Sequence, residues 1–141
     1  MRIADVNVLL YAQDSAAAQH ERARTWLEDA LSGEEPTGFT WQTLVAFLRI
    51  STSSSIYAQP LDPVEALDLI DAWLDHPGSA VVGPGPEHQR LLREIIGATG
   101  TAGSLTSDAH LAAVAIESGA MLASFDADFH RFKHLRFEYL G

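Results

Sequence analysis

The chain has 141 residues, 47% of them hydrophobic, and no cysteine. That is enough for one domain with a buried core, and it excludes a disulfide framework and thiolate zinc sites. The formal net charge of −10, from nine Lys and Arg against nineteen Asp and Glu, is opposite to the basic surface that usually marks a nucleic-acid binder.

The segment Ile3 to Val6 predicts a short buried strand, followed by a turn or helix start at Asn7 and an apolar stretch to Tyr11. Ala23, Trp26, Leu27, Ala30 and Leu31 recur at helical spacing, predicting a helix over 19–32 that ends at Ser32-Gly33. A short strand is expected over 38–40 and a helix over 41–50. The polar run STSSSIYAQPLD reads as a loop, and Pro63 suits the first turn of a helix reaching Leu74. Val81-Val82 predicts a strand and GPGP a rigid turn. Helices are expected over 87–97 and 106–118, the second closed by Gly119. A strand over 120–124, a helical turn over 128–132 and an edge strand over 136–139 complete the chain. This alternation predicts an α/β protein: one domain spanning residues 1–141, a mostly parallel central sheet and helices on both faces. No run approaches the roughly 18 apolar residues of a membrane span. The first strand also begins too near Met1 for a signal peptide to precede it, so a cytoplasmic protein without membrane contact is expected.

Four aspartates are the candidate chemistry: Asp5 after the first apolar run, Asp108 at a helix start, and Asp126 and Asp128 after a late apolar run. An aspartate beside a core strand is costly to bury without a partner. Taken one at a time, Asp108 suits a helix dipole, with Thr106 or Ser107 as cap, and Asp126-x-Asp128 suits a turn. Asp5 lacks an obvious local partner. Several converging carboxylates find their simplest common partner in a hard divalent cation, Mg²⁺ or Mn²⁺. Such a cation, or the gathering of the few basic residues on one face, reconciles an acidic chain with an anionic substrate. In an open parallel sheet the ligand site lies beyond the carboxyl ends of the strands, where Asp5 and Asp126 fall. The six histidines are scattered and make no metal motif. Trp26, Phe39, Trp41 and Phe47 are expected in the core.

Three stretches, DVNVLLYA from Asp5, TSDAHLAAVAIESGA from Thr106 and SFDADFHRF from Ser124, resemble the PIN-domain ribonucleases, most of all the VapC toxins of bacterial toxin–antitoxin pairs. The resemblance covers the whole chain. It implies a PIN-like three-layer α/β/α sandwich in which Asp5, Asp108 and Asp126 bind metal, Asp128 contributes beside them, and Asn7 and Ser124 support the site. It also implies an acidic residue three positions before Arg49, where this chain has Ala46. The implied activity is Mg²⁺- or Mn²⁺-dependent hydrolysis of RNA phosphodiester bonds, with a cognate antitoxin as partner and a homodimeric state. Arg49, on the far side of the helix carrying Ala46, is a candidate phosphate contact. Leu67, Ile70 and Leu74 offer a stripe for a partner copy or for the core. Two other readings compete. An aspartyl phosphatase requires a second acid two residues after the first, and Asn7 stands there. The other is a PIN-fold binding module with a decayed metal site, to which Ala46 points.

Overall fold

A computed structural model describes Met1–Gly141. The elements are β1 (Arg2–Ala4), α1 (Val6–Gln13), α2 (His20–Ser32), β2 (Thr37–Phe39), α3 (Trp41–Ser51), α4 (Pro63–Leu74), β3 (Ser79–Val81), α5 (His88–Thr99), α6 (Thr106–Glu117), β4 (Met121–Ser124) and β5 (Arg136–Tyr139). Short 3-10 turns cover Gly103–Leu105 and Ala127–Arg131. The five strands form one sheet in the order β3-β2-β1-β4-β5. Every neighbouring pair is parallel, so the sheet is wholly rather than mostly parallel.

Alternation along the central strands divides the apolar residues between two layers. Ala4 and Ala123 pack with Val8, Leu9, Trp26, Phe47 and Trp73 from the helices α1 to α4. Ile3 and Leu122, one position earlier on the same strands, pack with Ile95 of α5, the alanines of α6 and Phe129. The register Ile3↔Leu122 and Ala4↔Ala123 keeps both faces in phase, as a pairing with a side-chain period of two requires. Gly38 sits where β2 is most crowded. A Cβ there would lie 3.0 Å from both Ile3 Cγ1 and Met1 Sδ.

The first three strands both begin and end one to two residues before the expected positions. For the first two the reason is capping. Asp5 is the N-cap of α1, its Oδ1 accepting the Val6 N–H at 2.7 Å. Thr40 is the N-cap of α3, its Oγ1 accepting the Thr43 N–H at 3.1 Å. A polar residue at a strand end thus belongs to the following helix, whose first N–H groups have no other partner. At α6 the expected caps are absent. Neither Thr106 nor Ser107 makes a side-chain cap, because the 3-10 turn Gly103–Leu105 runs directly into the helix. The stripe on α4 divides: Ile70 is buried with Ala66 and Trp73, whereas Leu67 and Val64 remain exposed.

Leu122→Ala, in the middle of the sheet, is expected to cost about 2–5 kcal/mol through lost burial and an unfilled cavity. Leu67→Ala on the outer face should change stability by less than about 0.5 kcal/mol. Urea unfolding of the two variants checks this contrast.

Candidate active site

From β1 the chain works outward to β2 and β3 on one side, while β4 and β5 lie on the other. Beyond the carboxyl ends of the strands, such a reversal leaves a crevice. Asp5 directly follows β1, and its backbone N–H bonds to Ala123 O at 2.9 Å across the sheet. Ser124 ends β4, Asp126 follows two residues later, and the first turn of α6 brings Asp108. Asp5 and Asp108 line one cleft of about 640 Å³, together with Trp41, Ala46 and Arg49 of α3 and Ser107. Asp126 and Asp128 lie outside that lining, yet their charges act on Asp108.

Ser124, fully buried, organises this end of the sheet. Its hydroxyl donates to Asp5 Oδ2 at 2.8 Å and accepts from Asn7 Nδ2 at 2.9 Å and from the Asp126 N–H at 3.0 Å. Asn7 Oδ1 in turn accepts the Phe125 N–H at 3.2 Å. The supporting roles expected of Asn7 and Ser124 therefore have a definite geometry: one hydroxyl joins α1, Asp5 and the Asp126 turn. Asp5, read from sequence as lacking a local partner, has two, the Val6 N–H and the Ser124 hydroxyl. Each of its oxygens retains acceptor capacity.

Electrostatics set Asp108 apart. It makes no hydrogen bond through its carboxylate, and its pKa rises from the usual 3.8 to about 6. Burial is the main cause, followed by the charges of Asp5, Asp126 and Asp128, with Arg131 opposing them. Burial also raises the pKa of Asp5, against the lowering effect of its hydrogen bonds to Ser124 and Val6. The basic residues do not gather to relieve this charge. Arg24 and Arg90 pair with glutamates on their own helices, and Arg49 is the one cation lining the cleft. Arg131 stands 3.7 Å from Asp128 Oδ1, and donors that are all oxygen fit a hard divalent cation in their chemistry. The carboxylates nevertheless stand apart: no three acidic or imidazole groups in the fold are near enough to hold one ion together.

Two residues differ from their sequence reading. Trp41 is 57% exposed at the cleft instead of in the core, where Trp26, Phe39 and Phe47 do reside. Arg49 shares the cleft face with Ala46 instead of lying on the far side of the helix. The expected acid before Arg49 has no substitute on α3, which contains no Asp or Glu. Sequence reading also missed Gln42, whose Nε2 donates to Ser107 O at 3.1 Å and ties α3 to the start of α6. No sequence pattern signals a bond over 65 residues.

Residues 3–135 match the family described as PIN domain. The chain belongs to the PIN-domain family. This PIN domain is 38% identical over 138 residues to Ribonuclease VapC37 of Mycobacterium tuberculosis, covering 98% of this chain and 96% of that one. It is 39% identical over 136 residues to Ribonuclease VapC33 of the same species, with 96% and 95% covered. Among solved structures, VapBC2 from Rickettsia felis bound to a DNA fragment from their promoter has a TM-score of 0.71 at 15% identity, with 98% of this chain and 97% of that chain covered. FitAcB from Neisseria gonorrhoeae has a TM-score of 0.62 at 18% identity, with 99% and 98% covered. These structural likenesses share the three-layer fold of this PIN domain. No helix in it is long and apolar enough to cross a membrane.

Because the folded PIN domain holds the Asp108 proton more tightly than the unfolded chain does, metal-free stability should fall as pH rises from about 4 to about 6. Asp108→Asn should reduce that dependence and raise stability at pH 7 by about 1 kcal/mol, the shift being discounted for solvent screening of a half-buried group. Ser124→Ala should act in the opposite direction, costing about 1–3 kcal/mol by leaving buried groups unpaired. Thermal unfolding of both variants between pH 4 and pH 7 provides the measurement.

Proposed function

We propose that residues 1–141 act as a single-domain, Mg²⁺- or Mn²⁺-dependent endoribonuclease, the toxin of a type II toxin–antitoxin pair. Full-length similarity to proteins named VapC ribonucleases supports this reading. The observation that carries it is the gathering of carboxylates at the crevice end of the sheet, with Asp108 raised to about 6. In this proposal Asp5, Asp108 and Asp126 hold the metal, with Asp128 beside them, and the bond to Ser124 fixes the rotamer of Asp5. When bound, a divalent cation supplies the Lewis acidity that activates water and stabilises the leaving 3′-oxygen. Asp126 or Asp128 orients the attacking water, and Arg49 contacts a phosphate oxygen.

A second reading, a PIN-fold binding module without nuclease activity, is favoured by Ala46 and by the wide spacing of the carboxylates. The effect of Mn²⁺ on the melting temperature separates the two. A functioning site binds the folded state and raises the melting temperature by several degrees, whereas a decayed site leaves it unchanged.

The proposed partners are RNA, a cognate antitoxin and a second copy of the chain in a cytoplasmic homodimer. Exposed Val64 and Leu67 on α4 are the candidate apolar contacts between copies. An antitoxin arginine entering the cleft would pair with carboxylate oxygens in bidentate fashion, competing with the metal for the same atoms. Raising Mn²⁺ should then weaken inhibition by a peptide copying the antitoxin tail. Inhibition indifferent both to Mn²⁺ and to Asp108→Asn would place the antitoxin elsewhere.

Incubation with total RNA and Mn²⁺, followed by mapping of new ends, tests the activity. Asp5→Asn, Asp108→Asn and Asp126→Asn should each reduce cleavage at least about 100-fold, as expected on removal of a metal ligand. Wild-type rates in all three would remove these residues from the site. With Mn²⁺ below saturation, cleavage should fall as pH drops through the range where the metal-free Asp108 takes up its proton, because a protonated carboxyl does not bind the cation.

A further inference from the structure

Three residues of α3, Trp41, Val45 and Arg49, follow one another at intervals of four and so lie along one side of the helix. All three line the cleft that holds Asp5 and Asp108. Trp41 and Val45 are each 57% exposed, whereas the other two tryptophans, Trp26 and Trp73, are 3% and 7% exposed. No aromatic ring in the fold packs against Trp41. Its neighbour Gln42 also lines the cleft. The Gln42 amide nitrogen is occupied by Ser107 O, while Oε1 is buried without a partner. An open indole face and a cation two turns further on therefore share one wall of the cleft.

Resting on the nuclease reading above, we propose that Trp41 is the stacking platform for one unpaired base of the RNA substrate. The acidity of the chain is what requires such a contact. Binding through phosphates depends on Lys and Arg, and the net charge is −10 with Arg49 the one cation in the cleft. Stacking does not draw on charge, and one base on an aromatic ring contributes about 5- to 100-fold in affinity. It also selects against duplexes, whose base faces are already covered, so the class of substrate is single-stranded or looped RNA.

The test separates binding from hydrolysis. In an Asp108→Asn background, a degenerate pool of unpaired RNA about 10 nucleotides long, within the site sizes of single-strand binders, is titrated while tryptophan fluorescence is followed. With Trp26 and Trp73 buried, the accessible signal comes from Trp41. Saturable quenching by the single strands is expected, with little by the same pool annealed to its complement. Trp41→Ala should weaken binding about tenfold and Trp41→Phe less than about threefold, as befits a stacking contact. The slope of affinity against salt should be shallow, near that of one or two phosphates. In the otherwise unsubstituted chain with Mn²⁺, Trp41→Ala should raise KM and leave kcat within about twofold. Equal binding by wild type and Trp41→Ala overturns the proposal even if the chain cleaves RNA. Binding that depends on Trp41 upholds it even if no cleavage occurs, in which case the nuclease reading fails alone. Light scattering covers the remaining occupant: if Trp41→Ala dissociates a dimer, the ring is a contact between copies and the proposal is overturned.

Discussion

The hydroxyl of Ser124 is the point on which the site depends. It has one proton to give and two lone pairs to offer, and all three are used: by Asp5, by Asn7 and by the Asp126 N–H. Nothing at this buried position is left over for water. The bond to Asp5 competes with burial, which raises the carboxyl's pKa, and so holds the acid nearer its charged form. The bond from Asp126 N–H shapes the turn that brings two further acids to the same end of the sheet. A cysteine there would offer a weaker donor and acceptor.

Much of this was readable in the sequence, and the misses share a cause. The alternation of apolar strands with helices at 3.6 spacing gave the layers, because that pattern is the burial pattern itself. The position of Asp5 at a strand end was readable, but its partners were not. One is a backbone N–H exposed only once α1 begins, and the other lies 119 residues away. Trp41 was misread because an aromatic at the start of an amphipathic helix looks the same whether its face meets the sheet or a cleft. Only the tilt of α3 over the crevice decides, and composition carries no record of it. Ala46, by contrast, was informative in advance, since a missing carboxylate is visible wherever the helix packs.

The fold also explains why the crevice tolerates crowded carboxylates. Asp5 and Asp126 follow the ends of two central strands that are packed on both faces and fixed in register, with Ile3 and Leu122 fully buried, while Asp108 comes from the first turn of α6. The cost of crowding carboxylates is local, of the order of a few kcal/mol, and is offset by two cores distributed over the whole sheet. A centre of this kind keeps the raised carboxyl of Asp108 without unfolding its support.

The pairing of β1 with β4 carries a consequence for biosynthesis. The two strands are neighbours in space, yet α1 to α6, β2 and β3 all lie between them in the chain. As the ribosome releases the chain from its amino end, Asp5 emerges early and waits for Ser124. Until β4 has cleared the exit tunnel, the bond from Ser124 to Asp5 cannot form and the early aspartate remains an ordinary solvated side chain. Closing so distant a parallel pair is intrinsically slow, so this link forms late, and a chain interrupted just before β4 has Asp5 and Asp108 but neither Ser124 nor Asp126 and Asp128.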